Sequence, residues 1–110
     1  MNEAIGAVRV LLVDDQLGAL GATRGLAAYR IVQEALTNAT RHAPGQPVVV
    51  RIGPSNEATT VTVRNDGPPT PAATPGAGLR GMRERAESVG GRLTAGPTDG
   101  GWLVEAVLPG

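Results

Sequence analysis

The strongest constraint on the fold is a helical repeat of apolar residues between positions 27 and 42. These residues recur at intervals of three and four, which places them on one face of an α-helix. The sequence Ala43-Pro44-Gly45 should end the helix, because proline cannot continue the hydrogen-bond ladder and glycine permits a chain reversal. We therefore predict a helix over residues 27–42 that buries one side. Its apolar face consists of Ala28, Ile31, Val32, Ala35, Leu36 and Ala39.

Two hairpins are predicted after this helix, because apolar residues alternate with polar ones on either side of turn sequences. The first joins strands within residues 48–52 and 60–64 through a turn at 53–56. The second joins residues 92–95 to 102–108 through a turn at 96–101. In the last strand the inward face is predicted to carry Trp102, Val104, Ala106 and Leu108, with Trp102 as a core residue rather than a cofactor contact.

The remaining segments complete the predicted order of elements. A second amphipathic helix contains Leu79, Met82, Ala86 and Val89 and stops at Gly90-Gly91. Residues 66–78 are almost entirely Gly, Pro, Ala and Thr, so they are predicted to form a mobile loop. Residues 8–13 predict a strand, and the glycine-punctuated segment 16–25 predicts a loop. The order is strand, helix, two strands, loop, helix, two strands.

This order favours a two-layer α/β sandwich, in which a mixed, mainly antiparallel sheet is covered by helices on one face, over a parallel doubly wound sheet. A chain of 110 residues supports a single domain. Ten basic and ten acidic residues give no net charge, so no global field attracts nucleic acid or an anionic membrane. All basic residues are arginines, which excludes chemistry on a lysine amine, and no cysteine is present. With no long apolar run, we expect a cytoplasmic protein.

The first helix also has a polar face whose side chains are of types that can bind ligands or take part in catalysis. Glu34, Asn38 and Arg41 point the same way, and Arg30 and Thr37 share that face. A carboxylate, an amide and a guanidinium on adjacent turns can offer a base, an oxygen ligand for Mg²⁺ and a fork for phosphate. On spacing alone, however, a solvated helix face with an i, i+4 pair is the favoured interpretation.

A resemblance favours the functional interpretation of this face instead. The sequence of residues 29–42, which is YRIVQEALTNATRH, resembles the N box of bacterial sensor histidine kinases. The resemblance is to the subgroup whose motif commonly has the form IVQEALTNAxRHA. It implies that Asn38 ligates Mg²⁺ and that Glu34 orients or accepts a proton during transfer. It also implies that Arg41 faces the phosphates.

Two further segments resemble boxes of the same family in the same order. Val63-Arg64-Asn65-Asp66-Gly67 is similar to the G1 box, with Asn65 in place of the usual aspartate; its amide still presents a carbonyl acceptor to the adenine amino group. Gly76-Ala77-Gly78-Leu79, continuing as RGMRERA, is similar to the G2 box. Glycines before a helix let backbone N–H groups approach phosphate oxygens. Alone, an ordinary loop and helix start would be the simpler interpretation of these glycines.

The resemblance covers about residues 26–109 and implies that residues 26–110 form a domain of GHKL-type fold that binds ATP and Mg²⁺. Residues 1–25 would form a separate N-terminal segment with an edge strand and a loop. The implied partner is a histidine-bearing dimerisation domain that this chain does not contain and, indirectly, a response regulator. Autophosphorylation by this chain alone is therefore not expected. An anti-sigma-factor-type serine kinase and a truncated, non-catalytic nucleotide-binding module remain as alternatives.

Two features stand apart from this assignment. Residues 8–16, VRVLLVDDQ, resemble the opening of a response-regulator receiver domain, but no lysine and no later receiver strand accompany them. Asp14 and Asp15 are therefore interpreted as a solvated strand end. His42 ends the N box and is interpreted as a helix-end residue favoured by the helix dipole, not as a phosphoacceptor or metal ligand.

Overall fold

The structure is a computed structural model that describes residues 8–12, 21–43, 45–55, 58–67 and 77–109. Its elements follow the predicted order of strand, helix, two strands, helix and two strands. They are β1 (Val8–Leu12), α1 (Gly21–His42), β2 (Val48–Ser55), β3 (Ala58–Asp66), α2 (Ala77–Ser88), β4 (Arg92–Thr98) and β5 (Gly101–Pro109).

The strands form one five-stranded sheet in the order β1-β2-β3-β5-β4. β1 pairs in parallel with β2 at one edge, and every other pairing is antiparallel. Both helices pack against the same face of the sheet and against each other. The predicted two-layer sandwich with a mixed, mainly antiparallel sheet is confirmed.

The core lies between the two helices and the covered face of the sheet. Burial alternates along β3, and the outward residues Thr60, Thr62 and Arg64 are partly exposed. The pattern predicted for β5 is confirmed for Val104, Ala106 and Leu108, while Trp102 is partly exposed and packs against the core. The buried apolar side chains that form this core are Ala28, Ile31, Ala35, Ala39, Val48, Val50, Ile52, Val61, Val63, Met82, Ala86, Leu93, Val104, Ala106 and Leu108.

The first helix is longer than predicted, because residues 21–25 are helical rather than a loop. Extending an existing helix adds one hydrogen bond per residue, whereas an isolated glycine costs about 1 kcal/mol, so Gly25 does not stop it. Gly21 has a φ of +78°, a left-handed conformation that marks the helix start. Among the residues that the structure describes, neither helix combines the length and apolar character needed to cross a bilayer.

Both hairpin turns are tighter than the sequence suggested. β2 continues through residues 53–55 and β4 through residues 96–98, all of which were predicted as turn. These positions tolerate proline because proline has no N–H to donate to a neighbouring strand, and an edge position does not require that hydrogen bond. Pro97 lies in the edge strand β4, and Pro54 lies beyond the part of β2 that pairs with β1. The second turn shrinks to two residues, with Gly100 at a φ of +71°.

The predicted loop 66–78 is shorter than expected at both ends. Asp66 belongs to β3, and Ala77 and Gly78 belong to α2, while residues 68–76 lie outside the described part of the chain. The predicted stop of α2 is confirmed: Gly90 has a φ of +83° and the N–H of Gly91 donates to the carbonyl of Ala86 at 2.8 Å.

Candidate functional site

The polar residues of α1 differ in their exposure to solvent. Arg30, Thr37 and Arg41 are exposed, whereas Glu34 and Asn38 are partly buried. The two side chains predicted to act on proton and metal therefore lie one turn apart at the edge of the helix–sheet interface. A uniformly solvated face would not bury either of them.

The position of Asn38 relative to the core is informative. Asn38 follows Ile31 by seven residues, about two helical turns, so the two side chains point in nearly the same direction. Ile31 is completely buried, while Asn38 is partly exposed. The core-facing side of α1 is therefore partly accessible to solvent at Asn38, although the next residue, Ala39, is buried.

The chain after β3 returns to this same end of α1. The N–H of Asp66 donates to the carbonyl of Pro47 at 3.2 Å. Gly67 has a φ of +112°, and a Cβ added to it would lie 3.1 Å from Cγ of Gln46 and 3.6 Å from Cβ of Ala43. The left-handed backbone and the close approach together require glycine here. The G1-like segment is thus adjacent to the residues that follow the N-box-like helix.

Asn65 is one of two buried polar residues in the described part of the chain, with 8% of its surface exposed. Its Nδ2 donates to the carbonyl of Asp66 at 3.1 Å. This bond uses the amide nitrogen, so Oδ1 is the atom with the chemistry to accept a hydrogen bond from an exocyclic amine. A carboxylate could not donate in this way, which gives a local reason for an amide at this position.

A small network attaches the 65–67 segment to the β4–β5 turn. Arg64 donates from Nη1 to Oδ1 of Asp66 at 2.6 Å and from Nη2 to the carbonyl of Asp99 at 2.7 Å. The N–H of Gly67 donates to the carbonyl of Gly100 at 2.9 Å. These hydrogen bonds fix the backbone around Asn65 on the face of the sheet that the helices do not cover.

Sequence reasoning missed two residues that support this site. The contact of Arg64 with the β4–β5 turn gave no local signal, because Asp99 is 35 residues away and is brought close only by strand pairing. Gly101 is buried opposite Asp66, and a side chain there would overlap the backbone carbonyl of Asn65. The Gly100-Gly101 pair was the only sequence signal for such a close approach.

The G2-like residues are only partly described. Gly76 lies outside the described residues, Gly78 lies in the first turn of α2, and Leu79 is partly buried against the core. The first turn of α2 carries no acidic residue that would repel an anion. Because α2 packs against α1, its N-terminal turn belongs to the same layer as Asn38.

The donor set suits a metal that is shared with a phosphate ligand. In the described part of the chain, no group of three or more His, Cys, Asp and Glu residues could hold a metal by itself. Mg²⁺ commonly takes one or two protein oxygens together with phosphate oxygens and water. The side-chain oxygen of Asn38 fits that requirement as a single protein ligand. His42 is exposed at the end of α1, beside Arg41.

Comparison with known proteins decides the family. The sequence profile of the histidine kinase-, DNA gyrase B- and HSP90-like ATPases matches residues 23–109, which is most of the chain. The chain belongs to this ATPase family. The GHKL-type fold is thereby confirmed. The profile begins at residue 23, and the comparisons do not support a receiver domain at the N-terminus. Asp14 and Asp15 lie outside the described residues.

Curated relatives of this ATPase domain are sensor histidine kinases. The chain is 44% identical over 82 residues to sensor histidine kinase YxjM of Bacillus subtilis, covering 74% of this chain and 20% of the relative. It is 33% identical over 84 residues to the histidine-protein kinase/phosphatase UhpB of Salmonella typhimurium, covering 74% and 17%. The chain therefore spans about a fifth of the length of these relatives.

Solved structures agree on the fold. The histidine kinase domain of a blue-light activated kinase from Erythrobacter litoralis superposes with a TM-score of 0.71 at 24% identity, covering 96% of this chain and 52% of that one. The mycobacterial sensor histidine kinase MprB superposes with a TM-score of 0.68 at 21% identity, covering 94% and 81%. At these identities the likeness supports the architecture alone.

Proposed function

We propose that this chain binds Mg-ATP as the catalytic domain of a two-component sensor histidine kinase. In the complete system it would donate the γ-phosphate to a histidine on a separate dimerisation domain. A response regulator would receive the phosphate afterwards. Residues 26–110 would form this ATP-binding domain, in the cytoplasm. The observation that carries the proposal is the partial exposure of Asn38, seven residues beyond the completely buried Ile31, within the part of the chain that matches the ATPase family.

The α1 residues would act on the phosphate end of the nucleotide. Asn38 would ligate Mg²⁺ through its amide oxygen, and Arg41 would interact with phosphate oxygens. Glu34 would orient the acceptor or take its proton. Mg-ATP supplies a transferable phosphoryl group whose charge the metal partly neutralises, so the protein's task is mainly positioning and charge stabilisation.

The other predicted residues would complete the two ends of the site. Gly76, Gly78 and Leu79 would bring backbone N–H groups toward the phosphates at the start of α2. Asn65 and Gly67 would bind the adenine end, with Oδ1 of Asn65 accepting from the exocyclic amine. The hydrogen bond from Nδ2 to Asp66 supports this orientation of the amide.

A thermal-shift titration with Mg-ATP tests the nucleotide proposal. A ligand at a hundred times its Kd stabilises the native state by about 2.7 kcal/mol, which raises the melting temperature by on the order of 10 °C in a domain of this size. Asn38→Ala should remove the magnesium-dependent part of the shift. Thr37→Ala, an exposed neighbour on the same helix, is the matched control and should retain it. No shift of the unmodified chain would favour the non-catalytic module and overturn the proposal.

The identity of the acceptor is tested separately. The relatives reported above favour a histidine kinase over an anti-sigma-factor-type serine kinase. We expect no radiolabel on this chain after incubation with labelled ATP, because the acceptor histidine belongs to another domain. Label on His42 would contradict this assignment, and transfer to a serine of a small antagonist protein would favour the serine kinase.

A further inference from the structure

One row of side chains crosses the covered face of the sheet at the end where β3 finishes. Strand register pairs Val48 with Asn65, Asn65 with Trp102, and Trp102 with Pro97. Paired residues in antiparallel strands project to the same side with their Cβ atoms about 5 Å apart. Trp102 is therefore the direct neighbour, on β5, of the amide proposed to recognise adenine.

Burial along β5 decreases toward this row. Leu108 and Ala106 are completely buried and Val104 has 5% of its surface exposed. Trp102, the next residue on that face, is partly exposed although it packs against the core. One part of the Trp102 side chain therefore packs against the core while another part is accessible to solvent. Such a partly anchored aromatic side chain presents a preorganised apolar surface.

The two side chains have complementary chemistry for a purine base. Oδ1 of Asn65 offers a hydrogen-bond acceptor to the edge of the ring, and the indole offers a π surface to its face. A neutral amide in place of the family's usual aspartate attracts the exocyclic amine less strongly than a carboxylate would. An adjacent aromatic contact would offset that loss without adding charge.

We propose that Trp102 is a base-binding residue of this protein that contacts the adenine ring next to Asn65. This inference rests on the proposed function, because it concerns one end of the same nucleotide site. It also differs from the sequence-based expectation that Trp102 serves only the core. The phosphate end of the site, formed around Asn38, does not depend on it.

The test uses the fact that the chain contains one tryptophan, so fluorescence excited selectively in tryptophan, and not in Tyr29, reports Trp102 alone. We expect Mg-ATP to change the emission with the same midpoint as calorimetric binding. Magnesium tripolyphosphate, which lacks the base, should bind more weakly and leave the emission unchanged. This measurement needs no variant and so does not depend on the folding of one.

Variants then measure the contribution of the indole. Trp102→Leu should weaken Mg-ATP binding by roughly 5- to 150-fold, the range found when aromatic contacts to bases are removed. Its affinity for magnesium tripolyphosphate should not change, and Trp102→Phe should restore most of the ATP affinity. Leu103→Ala, at the next position of β5 and on the opposite face of the sheet, is the matched control and should bind ATP normally.

The outcomes separate the two proposals. If calorimetry shows Mg-ATP binding but the emission is unchanged and Trp102→Leu binds like the unmodified chain, Trp102 is a core residue only and this inference is wrong. The proposed function would survive that result. If calorimetry shows no binding of Mg-ATP to the unmodified chain, both proposals are wrong.

Discussion

Replacing Gly101 with alanine should destabilise the domain through a single methyl group. Gly101 is buried at the start of β5, where it pairs with Asp66 of β3 and Thr98 of β4. A Cβ on this residue would overlap the backbone oxygen of Asn65 and lie 3.2 Å from Cα of Asp66. Both obstacles are backbone atoms, so no side-chain rotation can relieve the clash. β3 and β5 would have to move apart.

The size of the effect follows from two opposing contributions. Overpacking a well-packed interior costs about 1–3 kcal/mol. Alanine also restricts the unfolded chain, which stabilises a compatible site by about 0.4–1 kcal/mol and offsets part of that cost. Taken at the middle of both ranges, the net loss for Gly101→Ala is about 1.3 kcal/mol, which lowers the melting temperature by roughly 5–10 °C in a domain of this size.

Gly96→Ala supplies the control for this experiment. Gly96 lies in β4 of the same hairpin, and an added Cβ would meet no atom within 4 Å. Its backbone does not adopt a positive φ, so the restriction of the unfolded chain should leave its stability unchanged or slightly higher. Thermal unfolding followed by circular dichroism measures both variants. The reasoning is refuted if Gly101→Ala melts no lower than Gly96→Ala.

Three further perturbations test other parts of the structure. Leu108→Ala removes a completely buried side chain from β5 and should cost about 2–5 kcal/mol in chemical denaturation; a smaller loss would mean that the core collapses around the gap. Asp66→Asn breaks the half-exposed ion pair with Arg64 and should cost at most about 1 kcal/mol, less at high salt, and a larger loss would contradict the assignment of a surface pair. Deleting residues 1–16 removes β1 and its pairing with β2, so the melting temperature should fall. An unchanged value would count against an integrated edge strand.

Local sequence pattern predicted the helices and strands well where a segment buries one face. The same core buries the apolar residues of two such segments. They are the three- and four-residue repeat from Ala28 to Ala39 and the alternation from Val104 to Leu108. A helix or strand with one apolar side can bury that side in only one way, so periodicity and burial agree. The order of elements and the two-layer fold followed from these patterns, and the N-box, G1-like and G2-like motifs indicated the family.

Helix extension and pairing between distant strands decided the structural features that local sequence pattern did not predict. The helical residues 21–25, the extended residues 53–55 and the extended residues 96–98 each contain glycine or proline, and local rules assign such segments to loops. Helix extension and cross-strand hydrogen bonds outweigh those preferences. The same pairing brings Arg64 to Asp99 and places Gly101 against Asn65 and Trp102 beside it. These contacts join residues 35 or more positions apart, and no local pattern encodes a contact of that range, because it exists only after the sheet has formed.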